Sequence, residues 1–163
     1  MKKSSRSISI VALFVVACLC LFGWFATTDD MAATAAEANS AEISPQPVDD
    51  SMHHFMEYIF EPNYKQLKAA MADAPADKST WKVIKANSLT MAECANLLLM
   101  RAPDEDANDW RKLAATVRAR GAELYQAARK SDYAAARKAY GTMLESCNAC
   151  HEQFAGGEHQ LKP

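Results

Sequence analysis

The sequence lacks the residue patterns that enzymes and nucleic-acid-binding proteins usually carry. Its 18 basic and 20 acidic residues leave a net charge of −2, and no cluster of Lys and Arg forms the basic patch that nucleic acid requires. It has no recognisable nucleophile with a base and an orienting group, and no paired carboxylates in a catalytic setting. We therefore expect neither an enzyme nor a nucleic-acid-binding protein.

The cysteines are few, and two of them belong to a short motif that ends in a histidine. The run Cys147-Asn148-Ala149-Cys150-His151 contains two thiols three residues apart, followed directly by an imidazole. Residues three and four apart share one face of a helix, so all three side chains can point to the same side. Two thiols can then add to the two vinyl groups of a haem while the imidazole binds its iron. This is the attachment signature of c-type haem.

Three other interpretations of the cysteine pair stay open. A dithiol redox centre expects a strand before the motif and a helix N-terminus that lowers a thiol pKa, whereas residues 131–146 already have a helical pattern. A structural zinc site needs four ligands, but the remaining candidates form no second closely spaced pair. Those candidates are Cys94, His53, His54 and His159. A structural disulfide, or a pattern that arose by chance, is the third interpretation.

An apolar run near the start of the chain predicts export from the cytoplasm. Residues 8–26 are almost entirely apolar and follow Lys2, Lys3 and Arg6, which is typical of a signal peptide or a membrane anchor. The alternatives are a retained anchor, cleavage at residues 33–35, and a lipoprotein with Cys18 as its lipidated terminus. We assign residues 1–28 to this segment and the small, polar residues 29–49 to a flexible tether.

Four helical stretches are predicted in residues 50–160, which we assign to a single domain. They cover about residues 50–73, about residues 77–101, a stretch that begins within residues 104–108, and a stretch from Ser131 or Asp132 to Gly156-Gly157. The fold class expected is all-α, an antiparallel four-helix bundle preceded by the signal or anchor segment and the tether. Pro62 lies inside the first stretch and predicts a kink or local break near residues 58–63.

The apolar residues of these stretches recur at helical spacing. In the first stretch the predicted inward stripe consists of Met52, Phe55, Met56, Ile59, Leu67 and Met71. In the last stretch Tyr133, Tyr140, Cys147 and Phe154 recur every seven residues. The motif is therefore predicted to lie on the core-facing side of its helix.

With the motif on the last of four helices, residues 50–160 resemble the cytochrome c′ family and its low-spin relatives, the class II c-type cytochromes. The resemblance implies one covalent haem c, held by Cys147 and Cys150, with His151 as the proximal ligand of the iron. It also implies a location on the periplasmic side of the bacterial inner membrane, because haem is attached there. Redox partner proteins are expected, and homodimers are common in the family.

The resemblance further implies that a residue of the first helix lies across the haem and decides its chemistry. A methionine there makes the iron six-coordinate and suits electron transfer, whereas an apolar residue leaves the iron open to small gases. We favour Met56, because a thioether is a known partner of histidine in cytochromes c and raises the potential. The alternatives are Met52, a histidine at position His53 or His54, and no sixth ligand.

The expected function is therefore an exported monohaem electron carrier, with a five-coordinate protein that binds nitric oxide or carbon monoxide as the alternative. One departure from common family members affects this expectation. The family often carries a basic residue shortly after the haem histidine, whereas no Lys or Arg follows His151 until Lys162. A function that depends on that cation is not expected.

Overall fold

The computed structural model describes residues 44–163 as helices joined by turns, without a strand in that range. The predicted signal or anchor segment, including the apolar run at residues 8–26 and Cys18, lies outside the described residues, as does most of the predicted tether. No helix among residues 44–163 is both long enough and apolar enough to cross a membrane. The predicted four-helix bundle is confirmed for this part of the chain.

The first helix of the bundle, residues 52–71, consists of three consecutive segments. They are α1 (Met52–Phe55), a π-helical turn (Met56–Phe60) and α2 (Glu61–Met71). Ser51 caps the start, since its hydroxyl oxygen accepts a hydrogen bond from the backbone N–H of His54 at 3.2 Å.

The π-helical turn lies directly before Pro62. Because proline has no N–H, it cannot donate to the carbonyl of Tyr58 as an α-helix requires. In the π-helical turn the N–H of Glu61 donates to the carbonyl of Met56, five residues earlier. The interruption that Pro62 predicts is therefore present, as a wider turn within a continuous helix.

The wider turn changes which side chains face the core. Phe55 and Phe60, five residues apart, are 7% and 8% exposed, and their ring centroids lie 5.5 Å apart. Ile59, which the α-helical period places on the inward stripe, is 37% exposed. The prediction for Ile59 was wrong, because a π-helical turn moves the next inward position by one residue.

The other three helices are α3 (Lys78–Leu99), α4 (Ala107–Arg129) and α5 (Tyr133–Phe154). Asp77 and Asp132 cap α3 and α5, and each carboxylate accepts from a backbone N–H three residues ahead, at 2.8 and 3.0 Å. Their inward faces form one core together with the first helix. The buried residues include Leu67, Met71, Ile84, Met91, Leu98, Trp110, Val117, Leu124, Tyr140 and Met143.

Consecutive helices pack closely, whereas the first helix and α5 make few close backbone approaches among the described residues. Their contact at one end is through side chains of α5. The hydroxyl of Tyr133 and the guanidinium of Arg137 donate to the carbonyl of Met71 at 3.4 and 3.2 Å. The end of the first helix thus meets the start of α5, as the antiparallel arrangement requires.

Two helical glycines in the described part of the chain offer a test of this packing. A Cβ on Gly121, in α4, would lie 3.1 Å from the Cβ of Ala92 in α3, whereas a Cβ on Gly141, in α5, would meet nothing within 4 Å. We expect Gly121→Leu to lower the free energy of unfolding by about 1–3 kcal/mol, because the two helices must separate. Gly141→Ala should raise it by about 1 kcal/mol, because alanine favours a helix. Urea unfolding measures the free energy of unfolding of both variants. Equal changes in the two variants would contradict the close contact between α3 and α4.

Candidate functional site

Cys147, Cys150 and His151 lie on the core-facing side of α5. Cys147 is 7% exposed and Cys150 is 8% exposed, while the imidazole of His151 is half-buried. Seven residues before Cys147, Tyr140 is fully buried, and Phe154 packs against the core seven residues after it. The predicted phase of the motif is confirmed. Both thiols are free, so the disulfide interpretation has no bond to support it between these residues.

The electrostatic environment of the two thiols differs from that of a dithiol redox centre. Burial raises the pKa of Cys147 to about 12, and burial also raises the pKa of Cys150. A reactive dithiol needs a lowered pKa, because the thiolate is the attacking species. The protonated, buried pair therefore disfavours the redox interpretation.

The zinc interpretation also lacks a ligand set. Within residues 44–163, no three side chains of His, Cys, Asp or Glu come together in a group that could hold a metal ion. A closed structural zinc site uses four such ligands.

The imidazole of His151 has a defined tautomer. Its Nδ1 lies 2.9 Å from the carbonyl oxygen of His159. A carbonyl can only accept, so Nδ1 must carry a proton, and in the neutral ring Nε2 then keeps its lone pair. Burial lowers the pKa of His151, which favours the neutral ring that a metal ligand requires. The sequence contains no motif that reveals this contact.

The candidates for the opposite side of a haem lie at the start of the first helix. Met52 is in α1 and Met56 begins the π-helical turn, and both are partly buried against the core. The two histidines between them are exposed and have polar partners. Nε2 of His53 lies 3.3 Å from a Glu57 carboxylate oxygen, and Nδ1 of His54 lies 2.8 Å from Asp49 Oδ2. The methionines are thus turned towards the core more than the histidines are.

The start of the first helix and the end of α5 lie at the same end of the bundle. The guanidinium of Arg101, just after α3, stands 4.3 Å from the ring centroid of Phe55. The indole N–H of Trp110 donates to the carbonyl of Leu98 at 2.6 Å, and its ring meets Phe154 edge-on at 5.0 Å. Contacts at the end of α3 and the start of α4 therefore connect Phe55 with Phe154.

Two further observations test whether these residues suit a haem. The first is the scarcity of close backbone approaches between the first helix and α5, the two helices that carry the candidate ligands. The second is the hydroxyl of Tyr140, which is buried without a hydrogen-bond partner. Such a group costs about 1–3 kcal/mol, and burial raises its pKa to about 12. The core-facing thiols, the free Nε2 of His151 and this hydroxyl fit a covalently held group that carries polar substituents.

Other features lie apart from this constellation. An open groove of about 400 Å³ runs beside the turn between α4 and α5, lined by residues from Ala119 to Ala135. Cys94 is half-buried in α3, and burial raises the pKa of its thiol. Neither feature adds a ligand to the motif.

The comparison with known families agrees with the position of the motif. Residues 104–155 match the family model described as cytochrome C′. The matched range contains all of α4 and α5, including Cys147, Cys150 and His151, and it excludes the first helix with Met52 and Met56. No curated protein and no solved structure matches the chain.

Proposed function

We propose that this chain, a c-type cytochrome whose last two helices match the cytochrome c′ family, is an exported electron carrier with one haem. The family implies a covalently attached haem c, which supplies an iron couple that gains and loses one electron. The observation that carries the proposal is the position of two partly buried methionines, Met52 and Met56, at the end of the bundle where the motif lies. A methionine ligand suits electron transfer because it fills the sixth position of the iron.

Each residue has a separate part in this proposal. The sulfurs of Cys147 and Cys150 would form the two thioether bonds to the haem, and Nε2 of His151 would bind its iron. Met56 would provide a thioether sulfur as the second protein ligand of the iron. The surrounding core, which includes Tyr140 and Phe154, keeps water away from these groups. A low-dielectric environment of this kind is one of the levers by which a protein sets a haem potential.

The cellular setting is part of the same proposal. The apolar run at residues 8–26 supports export to the periplasmic side of the bacterial inner membrane, with the protein retained by an anchor or released after cleavage. Redox proteins there would donate and accept the electron, and a homodimer is proposed from the family resemblance. We propose neither a catalytic reaction nor a nucleic-acid partner.

Absorption spectra of the oxidised and reduced protein, with and without carbon monoxide, test the function. We expect a low-spin ferrous spectrum that carbon monoxide leaves unchanged, and a methionine-to-iron band near the red end of the ferric spectrum. The physical reason is that a sixth ligand occupies the position where a gas would bind.

The same spectra can overturn the proposal in two ways. A high-spin ferrous spectrum that changes fully with carbon monoxide would contradict the electron-carrier function and support a gas-binding function. Absence of covalent haem from the purified protein would contradict both functions. The protein for these measurements has to be produced in a host that attaches haem to exported chains.

A further inference from the structure

After α5 the chain turns back along the bundle. Gly156 and Gly157 both have positive φ, at 61° and 78°, which glycine adopts readily. The N–H of Ala155 and the N–H of Gly157 both donate to the carbonyl of His151, at 2.9 and 3.1 Å, and close the helix end. We name residues 156–163 the return segment.

Paired hydrogen bonds attach the return segment to α5. The side-chain amide of Asn148, inside the haem motif, donates to the carbonyl of Leu161 at 3.0 Å and accepts from the N–H of Leu161 at 2.7 Å. The side chain of Leu161 also packs against the core. The amide pair and the apolar contact together fix the segment beside the motif.

The return segment is also attached to the first helix. The hydroxyl of Tyr64 donates to the carbonyl of Lys162 at 2.7 Å and lies 3.1 Å from the N–H of Lys162. The ammonium of Lys68 donates to the same carbonyl at 3.0 Å. The segment therefore connects the two helices that make few direct backbone approaches to each other.

Between these attachments, His159 holds an uncommon backbone conformation. Its φ is 59°, in the left-handed region that residues with a side chain seldom adopt. The side chain of His159 is 73% exposed and lies 3.8 Å from Glu158, whereas its carbonyl meets Nδ1 of His151. A conformation of this kind persists only when the surroundings hold it. The conformation therefore orients the carbonyl of His159, and not its side chain, towards the motif.

We propose that the return segment is a positioning element for the proximal haem ligand. The carbonyl of His159 accepts a hydrogen bond from Nδ1–H of His151, which fixes the ring orientation and leaves Nε2 to the iron. A hydrogen bond at the second nitrogen also makes the imidazole a stronger electron donor. The oxidised iron gains more from such a ligand, so the segment lowers the reduction potential. This proposal rests on the proposed binding of haem iron by His151 and is independent of Met56.

Two substitutions at His159 test the role of the carbonyl. His159→Pro fixes φ near −65°, so the carbonyl has to leave Nδ1 of His151. Loss of an outer hydrogen bond of this type changes metal-site equilibria by about tenfold or more. We expect the ferric-to-ferrous equilibrium to shift about tenfold towards ferrous, which is roughly 59 mV upward for one electron. His159→Gly keeps both the carbonyl and access to positive φ, so its potential should stay close to that of the parent.

A second pair of variants keeps the proposal testable if the proline variant misfolds. Asn148→Ala removes both attachments to Leu161 within a helix that tolerates alanine, and should raise the potential in the same direction. Gln160→Ala is the control, because that side chain bonds only within the segment, to the carbonyl of Gly157 at 3.2 Å. Haem content by mass spectrometry verifies that each variant still carries the group.

Proton exchange gives a readout that does not depend on the potential. In ¹⁵N-histidine-labelled ferrous protein, with carbon monoxide added if the sixth position is open, the Nδ1 proton of His151 should exchange slowly. Exchange should be at least tenfold faster in His159→Pro and in Asn148→Ala. Unchanged potential and unchanged exchange in both variants would overturn the proposal. A gas-binding spectrum, in contrast, overturns only the electron-carrier function.

Discussion

Replacing Cys147 and Cys150 together by alanine is expected to give a chain that carries no covalent haem. The thioether bonds require sulfur at both positions, and the two thiols of the motif are buried on the core-facing side of α5. Alanine is preferable to serine, because it favours a helix and leaves no polar group at these buried positions. The intact mass of the denatured protein measures the result, since only a covalent haem survives denaturation.

Cys94→Ala is the matched control for this experiment. Cys94 is also a free helical cysteine, half-buried in α3, but it has no second cysteine and no histidine at the spacing of the motif. The control should carry the full mass of one haem per chain. Haem retained covalently in the double variant, or lost in the Cys94 variant, would contradict the assignment of the attachment site.

The second large effect is expected for Met56→Ala. If Met56 supplies the distal sulfur, the variant loses the methionine-to-iron band, changes from low spin to high spin, and binds one carbon monoxide per ferrous haem where the parent binds none. The midpoint potential should also fall, because a methionine ligand raises the potential of a His-ligated haem. Absorption spectra and a redox titration measure these changes.

Met52→Ala is the control for the distal ligand and also the test of its nearest rival. Met52 lies four residues earlier and is likewise partly buried against the core, so truncation removes a similar side chain from a similar place. Loss of the methionine-to-iron band in Met52→Ala, but not in Met56→Ala, would identify Met52 as the distal ligand. If neither variant loses low-spin character, His53→Ala and His54→Ala decide whether a histidine is the ligand. A histidine ligand would also give the parent protein a lower reduction potential than a methionine ligand.

Local features of this chain could be read from its sequence because their causes lie within one or two helical turns. The motif residues are three and four apart, so their common face follows from helix geometry alone. The helix starts expected near residue 77 and at Ser131 or Asp132 depend on a side chain that reaches a backbone N–H three residues ahead. The core phase of α5 was predictable for the same reason, since Tyr140 and Cys147 repeat with the helix.

The first helix marks the limit of this kind of prediction. Pro62 indicated an interruption, but a missing N–H can be accommodated by a kink, a break or a wider turn. The structure adopts a π-helical turn, which buries Phe60 and exposes Ile59. The pattern alone had no means of selecting this outcome, because packing of the two phenylalanines against the core stabilises it.

By itself, the sequence determined the haem motif, its phase on the last helix, and the number and approximate extent of the helices among the described residues. Tertiary structure decided the features that join distant parts of the chain. Tyr64 and Lys162 are 98 residues apart, and Asn148 meets Leu161 across a reversal of the backbone. The carbonyl that orients His151 belongs to the backbone of His159, and any residue has a carbonyl. No residue pattern encodes such a contact, because it depends on where the folded chain brings that oxygen.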